Sequence, residues 1–129
     1  MDRARVIYLD THVLVRLYLG EVSKLGAAAR KAIEDHETLA SPAAVLELQL
    51  LHEIGRLKPT AEQLIQALSK DLLLRVCDMP FYHVVQHALA ETWCRDPFDR
   101  LIVANAKANN AALVSKDERI HENYRRAVW

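Results

Sequence analysis

Short runs of β-forming apolar residues alternate with longer segments of helical period, and that alternation leaves this chain few architectures. Residues 5–9 (RVIYL) read as a first strand closed by Asp10, followed by weaker strands at 38–40, 72–77 (LLLRVC), 112–115 and 126–129. Helical segments fill the intervals: 11–19, 23–36, 41–55, 60–70, 79–92, 96–109 and a short one after Asp117. Two helix starts are sharply marked. Ser41-Pro42 and Asp96-Pro97 each place a capping side chain before a proline at the first helical position. Strands separated by helices need crossover connections, so the expectation is an α/β fold with a mainly parallel sheet covered on both faces.

With 129 residues, 51% of them hydrophobic, the chain supports one core, and residues 1–129 are expected to form one domain. No Gly- or Pro-rich linker and no repeat interrupts it. Seventeen basic residues balance seventeen acidic ones, which excludes a nucleic-acid binder held by bulk attraction but permits a local basic patch. Arg95, Arg119, Arg125 and Arg126 are candidates for such a patch. No apolar run approaches the roughly 18 residues that span a bilayer. Met1-Asp2-Arg3-Ala4-Arg5 leads into a short apolar stretch without a cleavage pattern, which argues against a secretory leader. Cys77 and Cys94 make no disulfide framework and lack zinc-ligand spacing; they read as small core residues of a cytoplasmic protein.

The chemistry lies in the carboxylates. Ligands of open parallel sheets bind beyond the carboxyl ends of the strands. Asp10 directly follows the first strand and Asp117 closely follows the fourth, although both are also natural helix caps. On the helix that Ser41 opens, stepping by about 100° per residue puts Glu47 near 300°, between Ile54 and Leu51 and inside the apolar arc. A carboxylate there costs several kcal/mol unless it is paired, bound to metal or able to reach water. On the helix that Pro97 opens, Asp99 shares the stripe of Ile102, Val103 and Ala106. An acid in a first turn also suits the helix dipole, but Asp96 is the better cap, which leaves Asp99 without a purely structural task. Four converging carboxylates repel by roughly 3–4 kcal/mol per close pair, and hard cations such as Mg²⁺ or Mn²⁺ are the natural neutralisers of an all-oxygen set. That combination serves metal-assisted phosphodiester hydrolysis.

The set Leu9-Asp10-Thr11, Ser41-Pro42 followed by Glu47, Asp96-Pro97-Phe98-Asp99-Arg100 and Leu113-Val114-Ser115-Lys116-Asp117 resembles the PIN-domain ribonucleases. Its order over nearly the whole chain is most similar to the VapC-type toxins of toxin–antitoxin pairs. The resemblance implies a three-layer α/β/α domain with a central, mainly parallel sheet of four to five strands. It implies cleavage of RNA to 5′-phosphate and 3′-hydroxyl ends, with one or two Mg²⁺ or Mn²⁺ ions held by Asp10, Asp99, Asp117 and Glu47. Whether Glu47 ligates metal or orients the attacking water stays open at this level. Thr11 matches the family's hydroxyl beside the first acid, and Asp96 is carried as a supporting acid. Ser115 is a further candidate for the supporting layer; Arg100 and Lys116 flank two acids and read either as phosphate contacts or as charge balance. His12, next to Thr11, is expected to turn away from Asp10 on its helix and to be structural. An antitoxin and a second copy of the chain are the implied protein partners, and Leu14, Leu17, Tyr18 and Leu19 are divided between the core and a surface suited to either.

Other readings fit less well. A phospho-accepting receiver domain needs an acidic pair after its first strand, and an aspartate-nucleophile phosphatase needs an acid where His12 stands. A dinucleotide fold lacks its Gly-rich turn. A non-catalytic RNA- or protein-binding module on the same scaffold, and an RNA-processing nuclease without an antitoxin, are the remaining alternatives.

Overall fold

A computed structural model describes residues 5–129; Met1–Ala4, where the reading of the leader falls, lie outside the described residues. Among the described residues, five strands form one sheet in the order β3-β2-β1-β4-β5: β1 (Val6–Leu9), β2 (Glu37–Ala40), β3 (Arg75–Val76), β4 (Ala112–Val114) and β5 (Ala127–Val128). Every pairing is parallel. A parallel sheet carries helices on both faces, so its central strands must be apolar on both sides. Ile7, Tyr8 and Leu9 of β1 are accordingly 1% exposed or less.

Among the described residues, seven α-helices connect and flank the strands: α1 (Thr11–Tyr18), α2 (Ala27–Asp35), α3 (Pro42–Glu53), α4 (Ala61–Leu72), α5 (Phe81–Ala88), α6 (Pro97–Ala108) and α7 (Glu118–Asn123). The architecture is the three-layer α/β/α arrangement. Among the described residues, no helix is long and apolar enough to cross a membrane. Cap chemistry sets several helix starts. The Ser41 hydroxyl accepts from Ala43 N, Asp96 from Phe98 N and Asp99 N, and Thr60 forms a reciprocal capping box with Gln63.

Strand order reverses direction at β1. The chain steps outward from β1 to β2 and β3, then returns to lay β4 on the other side of β1, with β5 beyond it. The β1–β4 boundary is therefore the topological switch point, where a crevice opens above the carboxyl ends of the two strands. Asp10 leaves β1 there and Ser115 leaves β4; Asp10 N still donates to Val114 O at 3.0 Å, so the pairing runs up to the crevice floor.

Three elements differ from the sequence expectation. The helix expected over 23–36 is divided into a 3₁₀ turn at Val22–Lys24 and α2, with Leu25 and Gly26 extended between them. The strand expected over 72–77 contracts to two residues, because α4 continues to Leu72 and closes on Leu73 in the left-handed region (φ 59). The helix expected over 79–92 stops at Ala88, where the Arg100 guanidinium takes the carbonyls of Ala88 (2.8 Å), Leu89 (3.4 Å) and Cys94 (3.3 Å).

Gly26 explains the first difference. A Cβ there would stand 2.2 Å from the Trp129 carbonyl oxygen, which accepts from Ala29 N at 3.0 Å in the first turn of α2. Only a residue without a side chain lets the strand that follows α7 reach that helix start. Gly26→Ala should cost about 1–3 kcal/mol, as overpacking does. Urea denaturation measures this directly, and an unchanged midpoint would contradict the close approach of Trp129.

Candidate active site

Asp10 is 3% exposed at the N-terminus of α1. Its Oδ1 accepts from Thr11 N at 2.8 Å, its Oδ2 from the Ser115 hydroxyl at 2.6 Å, and His12 Nε2 lies 3.4 Å from Oδ2. Burial alone would raise this carboxyl, but the contacts from His12, Ser115 and Thr11 outweigh burial and hold it below the usual range. Asp10 is thus built to stay charged inside the protein.

Glu47 lies in the second turn of α3, on the side that faces α1. Its Oε1 accepts from the Thr11 hydroxyl at 2.5 Å. Burial, followed by the charges of Asp10 and Asp96, pushes its carboxyl up against the opposing pull of that hydrogen bond. Asp99, half-buried in the first turn of α6, is pushed up to about 7, first by burial and then by Asp10, Asp96, Glu47 and Asp117. Asp117 caps α7, accepting from Arg119 N at 2.8 Å and Ile120 N at 3.3 Å. Asp10, Glu47, Asp99 and Asp117, from four different segments, line one cavity of about 440 Å³.

The surroundings of these acids separate them from structural carboxylates. Among the described residues, no Lys or Arg lies within ion-pairing distance of any of the four. Glu91 shows what a structural carboxylate looks like in the same fold. It is 4% exposed, and Lys107 Nζ meets its two oxygens at 2.7 and 2.9 Å while Trp93 Nε1 donates to it at 2.9 Å. An all-oxygen donor set carrying surplus negative charge fits a hard divalent cation. The four acids surround the cavity without closing on a point: among the described residues, no three His, Cys, Asp or Glu side chains form a finished ligand group.

The remaining candidates have definite places. Thr11 and Ser115 are buried and donate to Glu47 and Asp10. Asp96 is exposed and spent on the α6 cap, reaching the site only through its charge. Lys116 is exposed and takes part through its backbone N–H, 3.2 Å from His12 Nε2. Arg100 is committed to the carbonyls after α5 and does not line the cavity. Of the arginines considered for a basic patch, Arg119 donates to Trp93 O and Arg126 to Asn110 O, while Arg95 and Arg125 are exposed away from the cavity lining.

Sequence reasoning placed His12 wrongly. Its ring folds back over Asp10 and lies against Trp129, with centroids 5.9 Å apart, instead of turning away. Arg16, Glu21 and Arg56 also line the cavity and were not anticipated. Arg16 follows His12 by one helical turn, so shared-face spacing was an available signal. Arg56 follows the end of α3, in a turn through Gly55 (φ 81) whose direction no local pattern dictates.

In metal-free protein, Asp99 carries a measurable penalty. Between the ordinary value of 3.8 and about 7 the folded state keeps a proton that the unfolded chain has lost, so stability falls as pH rises through that interval. Solvent screening at a half-buried group reduces the loss to about 1–2 kcal/mol. Asp99→Asn should shrink the slope to the part that Glu47, also pushed up, retains, melting above wild type at pH 7.5 and level with it near pH 4. Melts recorded in chelator across that range provide the check; parallel curves would mean that the carboxylates do not confront one another.

Comparison with known proteins places the fold in a family. The PIN domain family matches residues 7–126. No curated protein sequence matches the chain. Solved structures share the fold at low identity. VapBC2 from Rickettsia felis, bound to a DNA fragment from their promoter, is similar at a TM-score of 0.64 and 15% identity, over 91% of this chain and 92% of that one. A toxin–antitoxin complex from Klebsiella pneumoniae gives 0.64 and 17% over 95% and 96%, and VapBC-1 from nontypeable Haemophilus influenzae gives 0.58 and 18% over 96% of each. With the family match spanning almost the whole chain and the acids gathered at the switch point, this protein belongs to the PIN domain family.

Proposed function

We propose that the protein is a Mg²⁺- or Mn²⁺-dependent endoribonuclease, acting in the cytoplasm as the toxin of a toxin–antitoxin pair. The observation that carries the nuclease reading is the gathering of Asp10, Glu47, Asp99 and Asp117 around one cavity, with the Asp99 carboxyl raised to about 7 and, among the described residues, no Lys or Arg paired with any of them. The toxin reading is supported by structural similarity to toxin–antitoxin complexes over more than nine-tenths of both chains.

Asp10, Asp99, Asp117 and Glu47 would hold one or two ions, which when bound polarise the phosphodiester and lower the pKa of water. The chain's own contribution is positioning. His12, Ser115 and Thr11 N keep Asp10 ionised and pointed into the crevice. Thr11 ties down Glu47 Oε1, leaving the second oxygen to accept from the attacking water. Water adds to phosphorus, the P–O3′ bond breaks, and the departing O3′ takes up a proton, giving 5′-phosphate and 3′-hydroxyl ends.

The proposed partners are an antitoxin and a second copy of the chain. Exposed apolar side chains suited to such contacts are Leu46 and Leu50 on α3, Ile54 just after it, and Phe81 and Tyr82 on α5.

Purified protein freed of bound inhibitor should cut single-stranded RNA with Mg²⁺ or Mn²⁺ and stop in chelator. Asp10→Asn, which keeps shape and removes charge, should lower the rate by more than about a hundredfold, and Ser115→Ala by about 10–100-fold, as loss of a supporting hydrogen bond does. Cleavage that persists in Asp10→Asn, or that is indifferent to chelator, would defeat the proposal.

A further inference from the structure

The acidic cavity does not end at the acids. Val15 and Arg56 line it and also line a second groove of about 700 Å³, which continues past Tyr18, Leu19, Lys58 and Gln63. One wall is the last turn of α1, where Tyr18 is 37% and Leu19 56% exposed. The other is the connection between α3 and α4, and its backbone is pinned. Arg56 N donates to Leu51 O at 2.9 Å, and His52 Nδ1 lies 3.1 Å from Leu57 O and 3.0 Å from Lys58 O. Among the described residues, neither Arg56 nor Lys58 has a carboxylate within ion-pairing distance. Gln63 spends its Oε1 on the Thr60 cap, and its amide N–H groups have no partner among the described residues.

We propose that this groove is the subsite for the nucleotide flanking the cut, with Arg56 on the neighbouring phosphate and Tyr18 stacked on the base. The inference rests on the nuclease reading and gives its substrate a path. A phosphodiester at the acids carries further phosphates on either side, and the wall shared by Val15 and Arg56 is an exit that leads from carboxylates to unpaired cations. A guanidinium matches phosphate in geometry as well as charge. An exposed ring beside it accepts any base, provided the base is unstacked, which selects single strands over duplex. In a chain of zero net charge, such a local pair of cations is what offsets the repulsion between an acidic cavity and a polyanion.

The test uses full-length protein and a fluorescein-labelled single-stranded RNA, with binding measured on the uncut Asp10→Asn background and cleavage on the wild-type background. Arg56→Ala should weaken binding about tenfold at low salt, as loss of a charged hydrogen bond does. It should also flatten the log–log salt dependence by about 0.7, one phosphate of a single strand. Tyr18→Ala should weaken binding about fivefold or more with the salt slope intact, and Tyr18→Phe should restore it. In cleavage, both alanine variants should raise KM more than they lower kcat. Melting temperatures equal to the parent's show that the variants are folded. Wild-type cleavage together with unchanged Kd, salt slope and KM in the variants would overturn the subsite and leave the nuclease reading standing. Loss of a co-expressed protein partner with RNA binding unaffected would overturn it in favour of a protein occupant. Arg56-dependent binding of RNA that is never cut would support the groove while defeating the nuclease reading.

Discussion

A carboxylate kept charged at 3% exposure is the fixed point of this molecule. An isolated buried charge is expensive, and Asp10 survives because His12, the Ser115 hydroxyl and Thr11 N surround it. The hydroxyl donor arrives from another strand. Ser115 can reach Asp10 only because β4 lies beside β1 in parallel, with Leu9 opposite Val114. Thr11 then passes the arrangement on, its hydroxyl fixing Glu47 on α3. A single run of hydrogen bonds, Ser115–Asp10–Thr11–Glu47, therefore joins β4, β1, α1 and α3. Sheet register and site geometry are one constraint, and a slip of β4 would remove the charge support before it disturbed any apolar contact.

Burial of a carboxylate does not by itself indicate function, as Glu91 demonstrates. It is as inaccessible as Asp10, yet Lys107 and Trp93 satisfy it fully. Asp99 is more exposed than Glu91, yet its carboxyl is pushed up, first by burial and then by four acids that stand where Glu91 has a cation. What distinguishes the crevice is the sign of what surrounds each group. Protein folding selects against uncompensated like charge, so a fold that gathers it at its switch point keeps it at a cost in stability, which the pH dependence of the metal-free protein exposes.

The four acids were legible in the sequence because each stands at a position with a local signature. Asp10 and Asp117 follow apolar strands, and Glu47 and Asp99 interrupt apolar helical stripes. The Ser41 and Asp96 caps were legible for the same reason. What the sequence concealed depends on long-range approach. Gly26 looks like an unremarkable residue within a helical segment until the Trp129 carbonyl is found beside it. LLLRVC has strand composition throughout, but α4 winds on through Leu72 because helix extension adds a hydrogen bond per residue and Leu73 supplies the stop. Arg100 stands beside Asp99 in sequence and serves another helix in space. His12 lies over Asp10 because the Lys116 N–H and the Trp129 ring receive its imidazole, neither of which is near it in the chain.

On the proposed nuclease reading, hydrolysing a polyanion with carboxylates poses one electrostatic problem in two places. At the floor of the crevice the surplus of negative charge can be met by a hard cation, since all the donors are oxygens. At the mouth the protein must supply positive charge itself, and Arg16 and Arg56 are the arginines that line it. They are not equivalent. Arg16 already has Glu21 at 3.4 Å, so a phosphate would have to displace a carboxylate, whereas Arg56 has no such competitor among the described residues. The asymmetry gives the crevice a direction, with the less encumbered cation on the side where the second groove begins.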